Sequence, residues 1–128
     1  MKILIDTCSF LWFISDSPRL SKYAKELIEE SNNDIFLSLA SIWEMGIKYS
    51  IGKLNFSKPF DIFIREQLVL NNIEILPINL EHIIVISTLP LYHRDPFDRL
   101  MVSQAIFENL PIISSDTNFD SYSIKRLW

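Results

Sequence analysis

A chain of 128 residues and 15.0 kDa, 48% hydrophobic and 22% charged, can bury one core of ordinary size, which excludes intrinsic disorder. Its two glycines exclude a glycine-rich phosphate cradle, and its single cysteine, Cys8, excludes an internal disulfide, so the expected setting is a reducing cytoplasm. The formal net charge of −4 argues against a nucleic-acid binder, an objection that weakens if some carboxylates serve as metal ligands.

Lys2 to Asp6 is a short apolar run ending in an acid, which predicts a central parallel strand buried on both faces. Phe10 to Ile14 predicts a short apolar helix or turn. Ser17-Pro18 predicts the opening of a helix through about Glu30, with Leu20, Ala24, Leu27 and Ile28 on one face. Asp34 to Leu37 reads as a second strand. Ser38 to about Lys53 carries Leu39, Ile42, Trp43, Ile47 and Ile51 at helical spacing. A helix starts at Pro59 and stops at Asn71-Asn72, a third strand covers Ile73 to Ile78, and Asn79 caps a helix through Thr88. After a loop from Leu89 to Arg94, Asp95-Pro96 begins a helix that runs to near Asn109. Pro111 to Ser114 gives a fourth strand and Lys125 to Trp128 a fifth, at a sheet edge.

Short apolar strands alternating with helices predict a single α/β domain with a mainly parallel sheet. No run approaches the roughly 18 apolar residues of a membrane span. The apolar stretch from Met1 to Ser15 is broken by Asp6 and lacks a small-residue cleavage site, so it is not expected to be a signal peptide. The only histidines are His82 and His93, too few for a Cys/His zinc cluster.

In parallel α/β sheets the ligand sits beyond the carboxyl ends of the strands. Asp6 ends the first strand, Asp116 follows the fourth, Asp98 lies in the first turn of the helix leading into the fourth, and Glu44 lies early in the helix after the second. Four acids at one edge suit a hard divalent cation, Mg²⁺ or Mn²⁺. Each also has an ordinary reading. Asp6 suits a helix cap, Glu44 an ion pair with Lys48, Asp95 and Asp98 the start of a helix, and Asp116 a turn.

Taken together, Ile5-Asp6-Thr7, Ser41-Ile-Trp-Glu44 with Ile47-Lys48, His93-Arg-Asp-Pro-Phe-Asp-Arg99 and Ile113-Ser-Ser-Asp116 make the chain resemble the PIN-domain nucleases, specifically the small bacterial toxins of the VapC type. The resemblance spans essentially the full length, and the Arg-Asp-Pro-Phe-Asp-Arg block is its most specific piece. It implies a three-layer α/β/α fold with a five-stranded sheet, and Asp6, Glu44, Asp98 and Asp116 as the catalytic residues that bind Mg²⁺ or Mn²⁺. It also implies an RNA substrate, a cognate antitoxin that neutralises the enzyme, and a homodimer. The candidates for the hydroxyl residue common near the first acid are Thr7 and Ser9, and Asp95 is read as a helix cap in preference to a group behind the ligands.

The chemistry so implied is hydrolysis of phosphodiesters to 5′-phosphate and 3′-hydroxyl ends by metal-activated water. No protein nucleophile is required, so Cys8 is expected in the core. Thr7, Arg94 and Arg99 are substrate-binding candidates, Lys48 also flanks the acids, His93 is read as either a loop-structural or a substrate-contacting residue, and His82 as a helix-surface residue. Removing the four proposed ligands from the formal count leaves a net charge of zero, which permits RNA binding. Two rivals remain. A phosphatase-like phosphotransferase would place a second Asp two residues after the strand-end acid, where this chain has Cys8. A catalytically silent interaction module would not need all four acids.

Overall fold

Ile3, Leu4 and Ile5 are each fully buried, as a strand covered on both faces requires. They form β1 (Lys2–Ile5), the middle strand of an all-parallel sheet ordered β3-β2-β1-β4-β5, with β2 (Asp34–Ser38), β3 (Ile73–Leu76), β4 (Ile112–Ile113) and β5 (Arg126–Leu127). This computed structural model describes all 128 residues. The helices are α1 (Thr7–Ile14), α2 (Lys22–Glu29), α3 (Leu39–Ser50), α4 (Phe60–Leu70), α5 (Leu80–Ile86) and α6 (Pro96–Glu108). None is long and apolar enough to cross a membrane.

The pleat divides the core into two halves, which gives the three-layer α/β/α arrangement. Ile3 and Ile5 pack with Phe10, Ala24, Ile28, Met45, Ile64 and Leu68 of α1–α4. Leu4 points the other way, to Met101, Val102 and Ala105 of α6 and to Phe119 and Tyr122. Each fully buried aliphatic or aromatic side chain stabilises the fold by roughly 1.5–3 kcal/mol, so polar groups admitted among them need partners. Gln104, fully buried, meets that condition by joining Ser38 Oγ to the Pro77 carbonyl. It thereby ties the end of β2 to the chain leaving β3.

The strand order carries the functional consequence. From β1 the chain steps to β2 and β3 on one side, then crosses back through α5 and α6 to place β4 on the other side of β1. The connections leaving β1 and β4 therefore diverge, which opens a crevice between their carboxyl ends. Asp6 follows β1 and Asp116 follows β4, and Asp6 N–H donates to the Ile113 carbonyl at 3.1 Å across the gap.

Local chemistry moved some boundaries from their expected places. The second helix opens at Lys22 rather than at Ser17-Pro18, because Ser21 Oγ caps it by accepting from Ala24 N–H at 3.1 Å. The preceding residues form a turn after Asp16, whose φ of 52° ends α1. The third strand stops at Leu76, because Pro77 has no N–H with which to extend the ladder.

Candidate active site

Asp6 is the most enclosed of the acids, 7% exposed. It caps α1, with Oδ1 accepting from Ser9 N–H at 2.8 Å, and so fills the ordinary role its position offered. Burial pushes its carboxyl above the usual carboxylate range, and the nearby charge of Asp116 adds to the rise while the Ser9 N–H opposes it. Ser9 Oγ, fully buried beside it, has no hydrogen-bond partner.

The start of α6 supplies the next groups. Asp95 Oδ1 accepts from Phe97 N–H at 2.8 Å and from Asp98 N–H at 3.0 Å, and Pro96 occupies the first helical position, so Asp95 is the cap. This leaves the half-buried Asp98 carboxylate free to face the crevice. One ligand atom each from Asp98, Asp116 and His93 lie within 4.8 Å of one another. Burial, followed by the charge of Asp95, pushes the Asp98 carboxyl up to about 7; Glu44 and Asp116 raise it further and His93 works against them. Asp116 caps the short 3₁₀ turn Thr117–Ser121 through Oδ1, which accepts from Asn118 N–H at 2.9 Å. Its Oδ2 is 2.8 Å from His93 Nε2.

His93 is the residue that sequence reasoning left undecided. It is buried, stacked on Tyr122, with Nδ1 3.0 Å from the Tyr122 hydroxyl. An ionised carboxylate only accepts, so Nε2 carries a proton towards Asp116; in the neutral ring Nδ1 then accepts from the tyrosine hydroxyl. The signal was its place at the head of the His93–Arg99 block, but the partners that give it meaning, Asp116 and Tyr122, lie over 20 positions away.

Glu44 lies outside the tight group. Its carboxylate pairs with Lys48 at 2.9 Å, while its charge still reaches Asp98. Thr7 is buried and donates to Ser41 Oγ at 2.9 Å, which joins α1 to α3 rather than offering a hydroxyl to the crevice. Arg99 Nη1 donates to the Pro90 and His93 carbonyls at 3.1 and 3.4 Å, so it closes the loop before α6. Arg94 is exposed.

Two expectations fail. Cys8 is exposed rather than part of the core, because α1 turns its buried side through Thr7, Ser9 and Phe10. Desolvation of the thiol, then the charges of Asp6, Glu44 and Asp98, push its pKa up, so it stays protonated and is a poor nucleophile. His82 is fully buried rather than on the helix surface. Its Nδ1 accepts from Asn79 N–H at 3.2 Å in a capping box, and Nε2 meets Glu108 at 2.9 Å. Three apolar residues of α5 face outward, with Leu80 70%, Ile83 48% and Ile84 50% exposed.

The donor set fits a hard divalent cation. Carboxylate oxygens dominate it, and like charges crowded into a half-buried crevice are the condition a cation relieves. Asp98 and Asp116 lie together with His93, while the charge of Asp116 reaches Asp6 and that of Glu44 reaches Asp98.

The crevice, its acids and the five-stranded order can be set against known proteins. The family model of the PIN domain matches residues 3–125. The chain belongs to the PIN-domain family. Solved structures share the PIN fold seen here across nearly all of the chain. VapBC2 from Rickettsia felis, bound to a DNA fragment from its promoter, superposes with a TM-score of 0.73 at 19% identity, covering 99% of this chain and 98% of that one. FitAcB from Neisseria gonorrhoeae gives 0.67 at 17% identity, covering 100% and 97%. A toxin–antitoxin complex from Klebsiella pneumoniae gives 0.63 at 18% identity, covering 98% and 96%. At these identities the likeness is one of fold. No curated protein matches the sequence significantly.

Proposed function

We propose that this PIN domain is a metal-dependent endoribonuclease, the toxin of a toxin–antitoxin pair, hydrolysing RNA to 5′-phosphate and 3′-hydroxyl ends. The observation that carries the reading is the grouping of Asp98, Asp116 and His93 at the crevice beside Asp6, with the Asp98 carboxyl pushed up to about 7. Asp6, Glu44, Asp98 and Asp116 are the proposed ligands for Mg²⁺ or Mn²⁺. The bound cation would supply a water nucleophile near neutral pH and neutralise charge on the phosphodiester. The protein's own groups do the rest. His93 fixes Asp116 Oδ2, the Tyr122 hydroxyl fixes the imidazole, and Ser9 N–H fixes Asp6. Arg94 and Arg99 stand next to the acids, where Arg94 suits a phosphate and Arg99 holds the loop.

Three of the similar structures are complexes whose names pair a toxin with its antitoxin or a VapB with a VapC, and this supports a protein partner for the present chain. An arginine from that partner would pair bidentately with the crevice carboxylates and displace the cation. The outward apolar residues of α5 suit the proposed homodimer. The test is incubation of purified protein with RNA and with DNA, in Mn²⁺, Mg²⁺ or excess chelator. RNA cleavage abolished by chelator is expected; cleavage that persists in chelator removes the metal, and cleavage of DNA alone removes the ribonuclease assignment.

A further inference from the structure

In the loop between α5 and α6, His93 alone is buried among exposed neighbours from Pro90 to Asp95. His93 points inward and is buried, while its neighbours Tyr92 and Arg94 are exposed, Tyr92 at 51%. The loop is held from both sides. Arg99 donates to the carbonyls on either end of it, and the His93 ring is locked between Tyr122 and Asp116. The Tyr92 and Tyr122 rings stand nearly perpendicular with centroids 5.1 Å apart, and about half of Tyr92 stays open to solvent. Arg94, exposed on the other side of His93, enters no salt bridge. A half-exposed aromatic ring and an uncommitted guanidinium, on either side of the His93 that contacts Asp116, are the two elements that single-strand recognition combines.

We infer that Tyr92 and Arg94 form a nucleotide subsite, in which Tyr92 stacks on an unpaired base next to the scissile phosphate and Arg94 holds a neighbouring phosphate. This rests on the nuclease reading and narrows it: a base in a duplex has no free face for Tyr92, so the strand must be unpaired where it is cut. A protein partner would engage Tyr92 together with the neighbouring Leu91, 72% exposed, and a parent that binds neither RNA form points to that occupant instead.

The experiment measures binding of a fluorescent twelve-nucleotide RNA, alone and annealed to its complement, by anisotropy. The parent is the Asp98→Asn protein, so that turnover does not disturb the reading. Tyr92→Leu is expected to weaken single-strand binding about five- to a hundredfold and Tyr92→Phe to restore it to near the parent value. Arg94→Gln should lower the slope of affinity against salt by about one ion. Melting temperatures of the variants show that each is folded. Tyr92→Leu binding as tightly as the parent, a parent that prefers duplex, or a parent that binds neither form overturns the subsite. Wild-type cleavage is followed alongside. Binding that depends on Tyr92 in a protein that cuts nothing upholds the subsite and removes the nuclease; cleavage unaffected by Tyr92→Leu does the reverse.

Discussion

Asp98→Asn should stabilise the metal-free protein at pH 8 even as it removes a proposed ligand. The Asp98 carboxyl stands at about 7 in the fold against an ordinary value of 3.8. Between those values the native state binds more protons than the unfolded chain, so stability falls as pH rises from about 4 to about 7 and is flat above. The gap would be worth roughly 4 kcal/mol for a fully enclosed group. Asp98 is only half-buried, and solvent screening reduces this to about 1–2 kcal/mol. The variant also loses the carboxylate's favourable interaction with the N-terminus of α6, about 0.3–1 kcal/mol. The net gain is about 1 kcal/mol, or about 4 °C in melting temperature for a chain of this length. Thermal melts of both proteins in chelator, from pH 4.5 to 8, measure it. The variant should be the more stable at pH 8, and the difference should close as pH falls towards 4.5, where the wild-type carboxyl is protonated. Added Mn²⁺ at a hundred times its dissociation constant should raise the wild type by about 2.7 kcal/mol and the variant by much less. A variant no more stable at pH 8, or equal metal shifts in both, would refute the electrostatic account of this crevice.

Other expectations follow from the same geometry. Mn²⁺ affinity, measured by calorimetry, should weaken up to tenfold per pH unit below about 7, because Asp98 must give up its proton to bind. Asp6→Asn should abolish RNA cleavage with an unchanged circular dichroism spectrum, since Asn retains an oxygen for the Ser9 N–H. Asp95→Asn should keep most activity, because Asn caps as well as Asp, whereas Asp95→Ala should cost about 1 kcal/mol of stability in denaturant titrations. His93→Gln should lower Mn²⁺ affinity about tenfold or more by releasing Asp116, without the complete loss expected of a ligand.

The strands and most helices were legible because they are local. An apolar run ending at Asp6, a Pro at the start of α6 and an Asn before α5 each announce themselves within five residues. Asp95 as a cap and Lys48 as the partner of Glu44 were readable for the same reason. His82 was not. Its burial depends on Glu108, 26 positions away, while Leu80, Ile83 and Ile84 of the same helix turn outward. Cys8 misled because the lack of a nucleophilic role left the core as its expected place, while the first turn of α1 buries Thr7 and Ser9 instead. The His93–Asp116–Tyr122 chain was invisible in the sequence because it joins a loop, a turn and the end of a 3₁₀ segment that only the crossing to β4 brings together.

That crossing also orders events in time. Asp6 and Asp116 stand 110 positions apart, and β1 reaches β4 through only two residue pairs, Leu4 with Ile112 and Ile5 with Ile113. Chains emerge from the ribosome N-terminus first, so on the order of ten seconds separates the two aspartates during synthesis. β1 can pair with β2 well before then, but the wall of the crevice carrying Asp116 does not yet exist. A translation product that stops between α6 and β4 carries Asp6, Glu44 and Asp98 with neither Asp116 nor the strand that sets it opposite Asp6. The group of four acids is thus complete only once the chain has reached Asp116.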